Sequence, residues 1–177
     1  GKSVVLRLIR EELLRRGVSE DYIIYMNFES FEWIDMKEAK ALYAHIREAT
    51  KASGKYYILL DEIQEVTDWE KAVNAFLVDL DVDIYVTGSN SRLLSSEFST
   101  YLAGRYVAFH IMTLSFREYL LFHDLPLTIS VSDRKTEFLK YLRMGGFPAI
   151  HTANYDYNAI YKIVYDIYSS VILRDTV

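Results

Sequence analysis

Two acidic side chains stand at a point in the sequence where they could do chemistry together. Asp61 and Glu62 directly follow the apolar run at residues 58–60. One carboxylate could hold a magnesium ion through its water shell, and the other could polarise a water molecule for attack on a phosphorus atom. An acidic pair after a strand can equally begin a turn, so these two residues alone leave both interpretations open.

Three residues at the start of the chain indicate chemistry with phosphate. Gly1, Lys2 and Ser3 precede an apolar-periodic segment and match the end of the phosphate-loop pattern G-x-x-x-x-G-K-[ST]. In such a loop the lysine neutralises the β and γ phosphates, the hydroxyl binds magnesium, and amides at the helix start face the anion. The tripeptide could equally be a tag residue followed by a helix cap. Because residue 1 is glycine and not methionine, we expect the chain to be cut from a longer one.

Alternating helices and strands must position these residues. Apolar residues at helical spacing predict four helices, at about 3–16, 39–49, 69–80 and 91–102. Short apolar, aromatic or β-branched runs predict four strands, at about 22–28, 56–60, 83–86 and 106–111. This alternation indicates right-handed crossovers and hence an α/β fold with a mainly parallel sheet. Ligands bind beyond the carboxyl ends of such strands, and here those ends carry Asn27, Asp61 with Glu62, and Ser89 with Asn90.

After residue 111 the pattern is entirely helical. Three helices are predicted there, at about 115–122, 133–144 and 157–173. The capping box Ser115-x-x-Glu118 opens the first of them, and an earlier box, Thr67-x-x-Glu70, predicts the start of the third helix of the α/β part. The sequence therefore predicts two domains, an α/β core at residues 1–111 and a helical, lid-like subdomain at residues 112–177.

Composition excludes several classes of protein. The 177 residues are 51% hydrophobic and 25% charged, which is typical of a globular chain, and the absence of cysteine excludes disulfides, cysteine-ligated metals and a cysteine nucleophile. The net charge of −5 and the lack of a basic patch do not support nucleic-acid binding by this fragment. No apolar run approaches the roughly 18 residues of a membrane span, so we expect a cytoplasmic protein without a membrane partner.

Tyr161, Tyr165 and Tyr168 recur at helical spacing, which favours core or interface packing over base stacking.

Seven stretches of the chain occur together in a distinctive order. They are GKS at 1–3, ILLDEIQEVTDWEKA at 58–72, YVTGSNSRLL at 85–94, LAGRY at 102–106, LSFREYL at 114–120, GGFPAI at 145–150 and ILRDTV at 172–177. This combination resembles a prokaryotic family of AAA-type P-loop ATPases whose members join an ATPase core to a C-terminal domain of unknown function. The resemblance implies a three-layer P-loop NTPase core followed by a small helical bundle. The family's first strand, the first half of its Walker A loop and everything after ILRDTV are missing.

The same resemblance implies roles for the motif residues. Gly1, Lys2 and Ser3 match the part of the Walker A motif that binds the phosphates of ATP, and Ser3 also matches a ligand of Mg²⁺. Asp61 matches the Walker B carboxylate that holds Mg²⁺. Glu62 matches the base that activates the attacking water.

Other residues match functional positions but keep an alternative. Ser89 or Asn90 resembles the sensor of the γ-phosphate or attacking water, although both residue types also favour helix caps. Asn27 resembles the residue that restrains the catalytic glutamate until a partner binds, but it could equally satisfy loop backbone. Arg105 resembles an arginine that reaches a neighbouring subunit's γ-phosphate, with a surface ion pair as the alternative. Arg92 is a weaker candidate of the same kind.

The implied function is binding and Mg²⁺-dependent hydrolysis of ATP, coupled to a conformational change on a partner that the sequence does not identify. A homo-oligomer would let Arg105 act in trans. The alternative is a non-hydrolysing, nucleotide-dependent interaction module. The presence of Glu62 next to Asp61 favours hydrolysis over this alternative. A nucleic-acid motor is a third class, which the acidic charge of the core does not support. Because most amides of the phosphate loop would precede Gly1, we expect this fragment itself to bind nucleotide poorly.

Overall fold

The chain forms two compact units in the computed structural model, Gly1–Phe109 and His110–Val177. The described residues are 1–88, 102, 104–152 and 156–176, and the side chains of the last helix are described through residue 169. Ser89 and Asn90 lie outside the described residues, as does the predicted fourth helix at 91–102 except for its last residue.

The first unit is built around a parallel sheet. Its described strands are β1 (Ile23–Asn27), β2 (Tyr56–Asp61) and β3 (Val82–Val86), and its described helices are α1 (Lys2–Arg15), α2 (Ala39–Ala49) and α3 (Trp69–Asp79). The described part of the unit also contains three short 3-10 helices, at Glu20–Tyr22, Phe31–Met36 and Ile63–Glu65. The described strands lie side by side in the order β1-β2-β3, all parallel.

The central strand β2 shows why this unit has three layers. Its apolar run is continuous because both faces of the strand are buried. Ile58 and Leu60 face the cluster that contains the apolar residues of α2 and α3, whereas Leu59 faces Leu6 and Leu13 of α1. All three strand residues are fully buried, and each buried side chain of this size contributes about 1.5 to 3 kcal/mol. The predicted α/β fold, with helices on both faces of a parallel sheet, is confirmed.

The predicted fourth strand is not formed. Residues 106–111 are described but have no regular secondary structure. Val107 and Phe109 are 77% and 82% exposed. A strand exists only when its backbone groups pair with a neighbour, and among the described strands β3 pairs with β2 alone. The pattern of side chains was therefore strand-like, but no described strand pairs with this segment.

The capping box predicted for α3 is also wrong. The N-cap of α3 is Asp68, in the left-handed conformation with φ 57°, and not Thr67. Thr67 is used by backbone pairing instead, because its N–H donates to Lys37 O at 2.9 Å and its carbonyl accepts from Ala39 N at 3.1 Å. Thr67 thus joins the start of α2 to the loop before α3.

The second unit is helical, as predicted. It contains α4 (Phe116–Phe122), α5 (Val131–Met144), α6 (Pro148–His151) and α7 (Tyr157–Thr176). The capping box of α4 is confirmed, because Ser115 Oγ accepts from Glu118 N at 3.3 Å and Glu118 Oε2 accepts from Ser115 N at 2.7 Å. The hydrogen bonds from Ser115 hold the pKa of the Glu118 carboxyl below its usual value.

Aromatic side chains meet inside this helical unit. Tyr119 is 2% exposed, and its hydroxyl donates to Glu137 Oε2 of α5 at 3.0 Å. The tyrosine stripe of α7 behaves differently, because Tyr161, Tyr165 and Tyr168 are 71%, 58% and 62% exposed. These three tyrosines therefore do not belong to the core of their unit, and interface packing stays a prediction.

Candidate functional site

The carboxyl ends of the three described strands meet at one edge of the sheet. Asn27 at the end of β1 is the register partner of Asp61 at the end of β2. At the end of β3, Thr87 N donates to Leu60 O at 2.9 Å, and Ile63 N donates to Thr87 O at 3.0 Å. Polar residues that lie far apart in sequence are therefore held side by side by the backbone.

Asp61 is a buried carboxylate at this edge. Its residue is 0% exposed. Tyr25 Oη donates to Asp61 Oδ2 at 3.1 Å, and Thr87 Oγ1 donates to Asp61 Oδ1. Burial, followed by the adjacent Asp61 charge, raises the pKa of the Tyr25 hydroxyl above its usual value. A buried charge requires hydrogen-bond partners, and these two hydroxyls supply them while fixing the orientation of the carboxylate.

Glu62 occupies a different environment although it is the next residue. Its backbone is left-handed, with φ 55°, which is uncommon for a residue with a side chain and turns the chain out of the strand. Glu62 N donates to Thr87 Oγ1 at 3.2 Å. Gln64 Nε2 donates to Glu62 Oε2. The Glu62 side chain is half-buried, so it can contact solvent while Asp61 cannot.

The start of α1 reaches the same edge. Lys2 Nζ donates to the carbonyl oxygen of Gly88 at 2.5 Å, directly after β3 and Thr87. Gly1 is the N-cap and provides no side-chain cap. Val4 N and Val5 N donate to Gly1 O at 3.1 and 3.4 Å, so the hydrogen-bond ladder of α1 begins after the amides of Lys2 and Ser3. The geometry brings a lysine ammonium and a helix N-terminus to the edge of the sheet that carries the two carboxylates.

Asn27 and Arg105, two further residues predicted from the sequence, make contacts with amide groups. Asn27 Oδ1 accepts from Glu29 N at 3.0 Å and so caps its own turn. Arg105 Nη1 donates to Asn74 Oδ1 at 3.1 Å in an exposed contact with a neutral amide. Ser89, Asn90 and Arg92 lie outside the described residues.

Sequence reasoning missed three residues that hold the site together. Thr87 bonds to both acidic residues, Tyr25 bonds to Asp61, and Gln64 bonds to Glu62. One signal was available for Thr87, which directly follows a predicted strand at the same edge. For Tyr25 and Gln64 residue type alone gave no signal.

Comparison with known proteins then identifies the family. The sequence profile of the AAA domain family matches residues 1–120. This chain belongs to the AAA domain family. The predicted membership in an AAA-type P-loop ATPase family is confirmed, and it indicates a nucleotide-binding, ATPase-like domain.

Two curated relatives extend this match to the helical unit of the AAA protein. An uncharacterized protein of Haemophilus influenzae is 39% identical over 176 residues, which cover 99% of this chain and 43% of the relative. An uncharacterized protein of Methanocaldococcus jannaschii is 33% identical over 171 residues, which cover 94% of this chain and 38% of the relative. The chain thus spans about two fifths of the length of these relatives. No solved structure gives a significant match.

Among the described residues, no helix combines the length and the apolar character needed to cross a bilayer.

Proposed function

We propose that this AAA domain binds ATP together with Mg²⁺ and hydrolyses it, and that the complete protein couples hydrolysis to a conformational change in a partner. One observation carries the proposal. The hydrogen bond from Lys2 Nζ to Gly88 O brings the start of α1 to the edge where Asp61 and Glu62 lie. A helix start with a lysine favours a bound anion, and adjacent carboxylates favour a divalent cation.

The donor chemistry fits a magnesium ion that is shared with a phosphate. Asp61 provides carboxylate oxygens, each of which accepts one hydroxyl and keeps further lone pairs. Ser3 provides a hydroxyl on the first turn of α1. Within the described part of the chain, no group of three or more acidic or histidine side chains forms a metal cage. Mg²⁺ is usually held by one or two carboxylates, water and substrate phosphates, so this sparse donor set suits it.

Each residue has a proposed task in this site. Lys2 neutralises charge on the β and γ phosphates, and Asp61 with Ser3 holds the cation. When bound, Mg²⁺ would neutralise charge that develops on the phosphate oxygens. Glu62 accepts a proton from the attacking water, which its half-buried position allows.

Further roles are proposed from the family resemblance. Gly1 belongs to the phosphate-binding turn, and Ser89 or Asn90 senses the γ-phosphate or the water. Asn27 restrains Glu62 in the absence of a partner. Arg105 reaches the γ-phosphate of a neighbouring subunit in a homo-oligomer, which requires release of its contact with Asn74.

The assignment of Glu62 is tested in the complete protein by ATP binding and steady-state hydrolysis. Glu62→Gln should leave ATP binding nearly intact and lower kcat by roughly 10²- to 10⁴-fold, the range for loss of a general base. Glu65→Gln is the matched control, because Glu65 lies in the same turn, is exposed and contacts Lys37 instead. Unchanged turnover in Glu62→Gln would refute the assignment. ATP binding without turnover in the wild type would support the non-hydrolysing alternative.

The trans role of Arg105 has its own test. Arg105→Ala and Glu62→Gln chains, each inactive alone, should recover part of the ATPase activity when mixed, because one subunit's arginine can complete another's site. Mixtures that co-assemble without any recovery would contradict a role between subunits.

A further inference from the structure

We propose that Gln64 is a positioning residue for Glu62, and this proposal rests on the proposed role of Glu62 in hydrolysis. Gln64 is the only glutamine in the sequence, and its Nε2 donates to Glu62 Oε2. The carboxylate proposed to accept a proton is therefore held by an amide two residues further along the chain.

The backbone leaves Gln64 little freedom except in its side chain. It lies in the 3-10 helix Ile63–Glu65, which follows the left-handed Glu62. Ile63 directly before Gln64 and Val66 two residues after it are 0% and 2% exposed, and Val66 N donates to Ile63 O at 2.9 Å. Glu62 itself is fixed by its N–H bond to Thr87 Oγ1 at 3.2 Å. The two backbones are thus locked, so the amide contact decides which conformation the Glu62 side chain adopts.

The other end of the amide shows that this contact has a cost. Gln64 Oε1 is buried and has no hydrogen-bond partner within the described part of the chain. A buried acceptor without a donor opposes folding. Turning the amide over would place Oε1 against the carboxylate of Glu62, where two acceptors would face each other. The Gln64 amide therefore keeps an orientation in which Oε1 is unpaired, because in that orientation Nε2 bonds to Glu62.

The contact has a consequence for the proton transfer. A glutamate side chain rotates about several bonds, and holding it in one conformation removes that freedom before the reaction. Gln64 takes Glu62 Oε2, which leaves Oε1 of the carboxylate available to a water molecule.

The test measures kcat, the KM for ATP and the urea midpoint of the complete protein. Gln64→Met keeps an unbranched side chain of similar length but removes both the donor and the unpaired acceptor. We expect kcat to fall about 10- to 100-fold, the range for groups that orient a reacting residue. We expect KM to stay within about twofold and the urea midpoint to stay equal or rise. Glu65→Met in the same turn is the control and should leave all three unchanged.

A double-mutant cycle separates positioning from a structural role. If Gln64 acts through Glu62, Gln64→Met should cause no further fall in kcat when Glu62 is already glutamine. The same fold-loss in both backgrounds, or a loss that accompanies a lower urea midpoint, would overturn the proposal. So would a wild-type kcat in Gln64→Met while Glu62→Gln is impaired, and in that case the proposed role of Glu62 survives. Unchanged turnover in Glu62→Gln would instead refute the proposed function.

Discussion

Replacing Thr87 by valine should destabilise the α/β unit, because one hydroxyl serves both acidic residues. Thr87 Oγ1 donates to Asp61 Oδ1 and accepts from Glu62 N at 3.2 Å. Valine has nearly the same shape, so the substitution removes these two hydrogen bonds and little else. Asp61 would keep a single donor among the described residues, Tyr25 Oη at 3.1 Å.

The magnitude follows from the two bonds. A hydrogen bond to a charged group contributes about 1.5 to 3 kcal/mol, and one between neutral groups about 0.5 to 1.5 kcal/mol. Thr87 is half-buried, so water can replace part of what is lost. We therefore expect the free energy of unfolding to fall by about 2 to 3 kcal/mol.

Urea unfolding of residues 1–177, followed by tryptophan fluorescence, measures this change. The chain has 2 tryptophans, and both Trp33 and Trp69 pack in the core of the α/β unit. With a slope of about 2 kcal/mol per molar urea, Thr87→Val should lower the midpoint by about 1 to 1.5 M. Thr87→Ser is the matched control, since it keeps the hydroxyl and should lose much less.

Two results would refute this reasoning. Equal midpoint shifts for Thr87→Val and Thr87→Ser would refute the role of the hydroxyl, because serine keeps the oxygen that makes both hydrogen bonds. The second result concerns the pair Thr87→Val and Tyr25→Phe, which remove both donors from the 0% exposed Asp61. Removing the last hydrogen-bond donor of a buried carboxylate costs more than removing the first. The double variant should therefore lose more unfolding free energy than the two single variants together. Strictly additive losses would contradict the sharing of Asp61 by the two hydroxyls.

Two further predictions concern the helical unit. Gly146→Ala should lower the free energy of unfolding of this unit by about 1 to 3 kcal/mol, the cost of forcing atoms into a packed site, because the new β-carbon would lie 2.3 Å from Leu114 O. Urea unfolding followed by circular dichroism measures this change. An unchanged urea midpoint would contradict the close approach. Tyr119 has its pKa raised to about 12 by burial and by its hydrogen bond to Glu137, against about 10 in an unfolded chain. The unfolded state therefore loses this proton first, so this contribution to stability is complete below pH 10 and is lost as pH rises to 12, at up to about 1.4 kcal/mol per pH unit. Tyr119→Phe should flatten this dependence in urea titrations at pH 9, 10 and 11, and an equally steep fall in the variant would assign it to another group.

The fold was predictable where the side-chain pattern itself records burial. The continuous apolar run of β2 indicated a strand buried on both faces, and the periodic residues of α1 indicated a helix against one of them. The pattern failed at residues 106–111, because an apolar, aromatic run describes what a strand could bury and not whether a neighbour is present to pair with it. It failed at Thr67 for a related reason, since a residue suited to capping was used for backbone pairing instead.

The candidate site was predictable only in its charged residues. Asp61, Glu62 and Lys2 could be found from residue type and from their positions at the ends of elements. The place of Thr87 at the end of a predicted strand was a signal, but its contact with Asp61 and that of Tyr25 depend on the register of the sheet and were not predictable.

The structure gives the two adjacent acidic residues different kinds of support. Asp61 is the last residue of β2, has no solvent exposure and is fixed by hydroxyls of neighbouring strands. Glu62 leaves the sheet through a left-handed turn and is held by the side-chain amide of Gln64 in the same turn. A carboxylate that holds a cation benefits from rigidity, whereas one that moves a proton must reach water. If Thr87 governs mainly stability and Gln64 mainly kcat, the different supports of these neighbouring carboxylates correspond to different tasks in the proposed reaction.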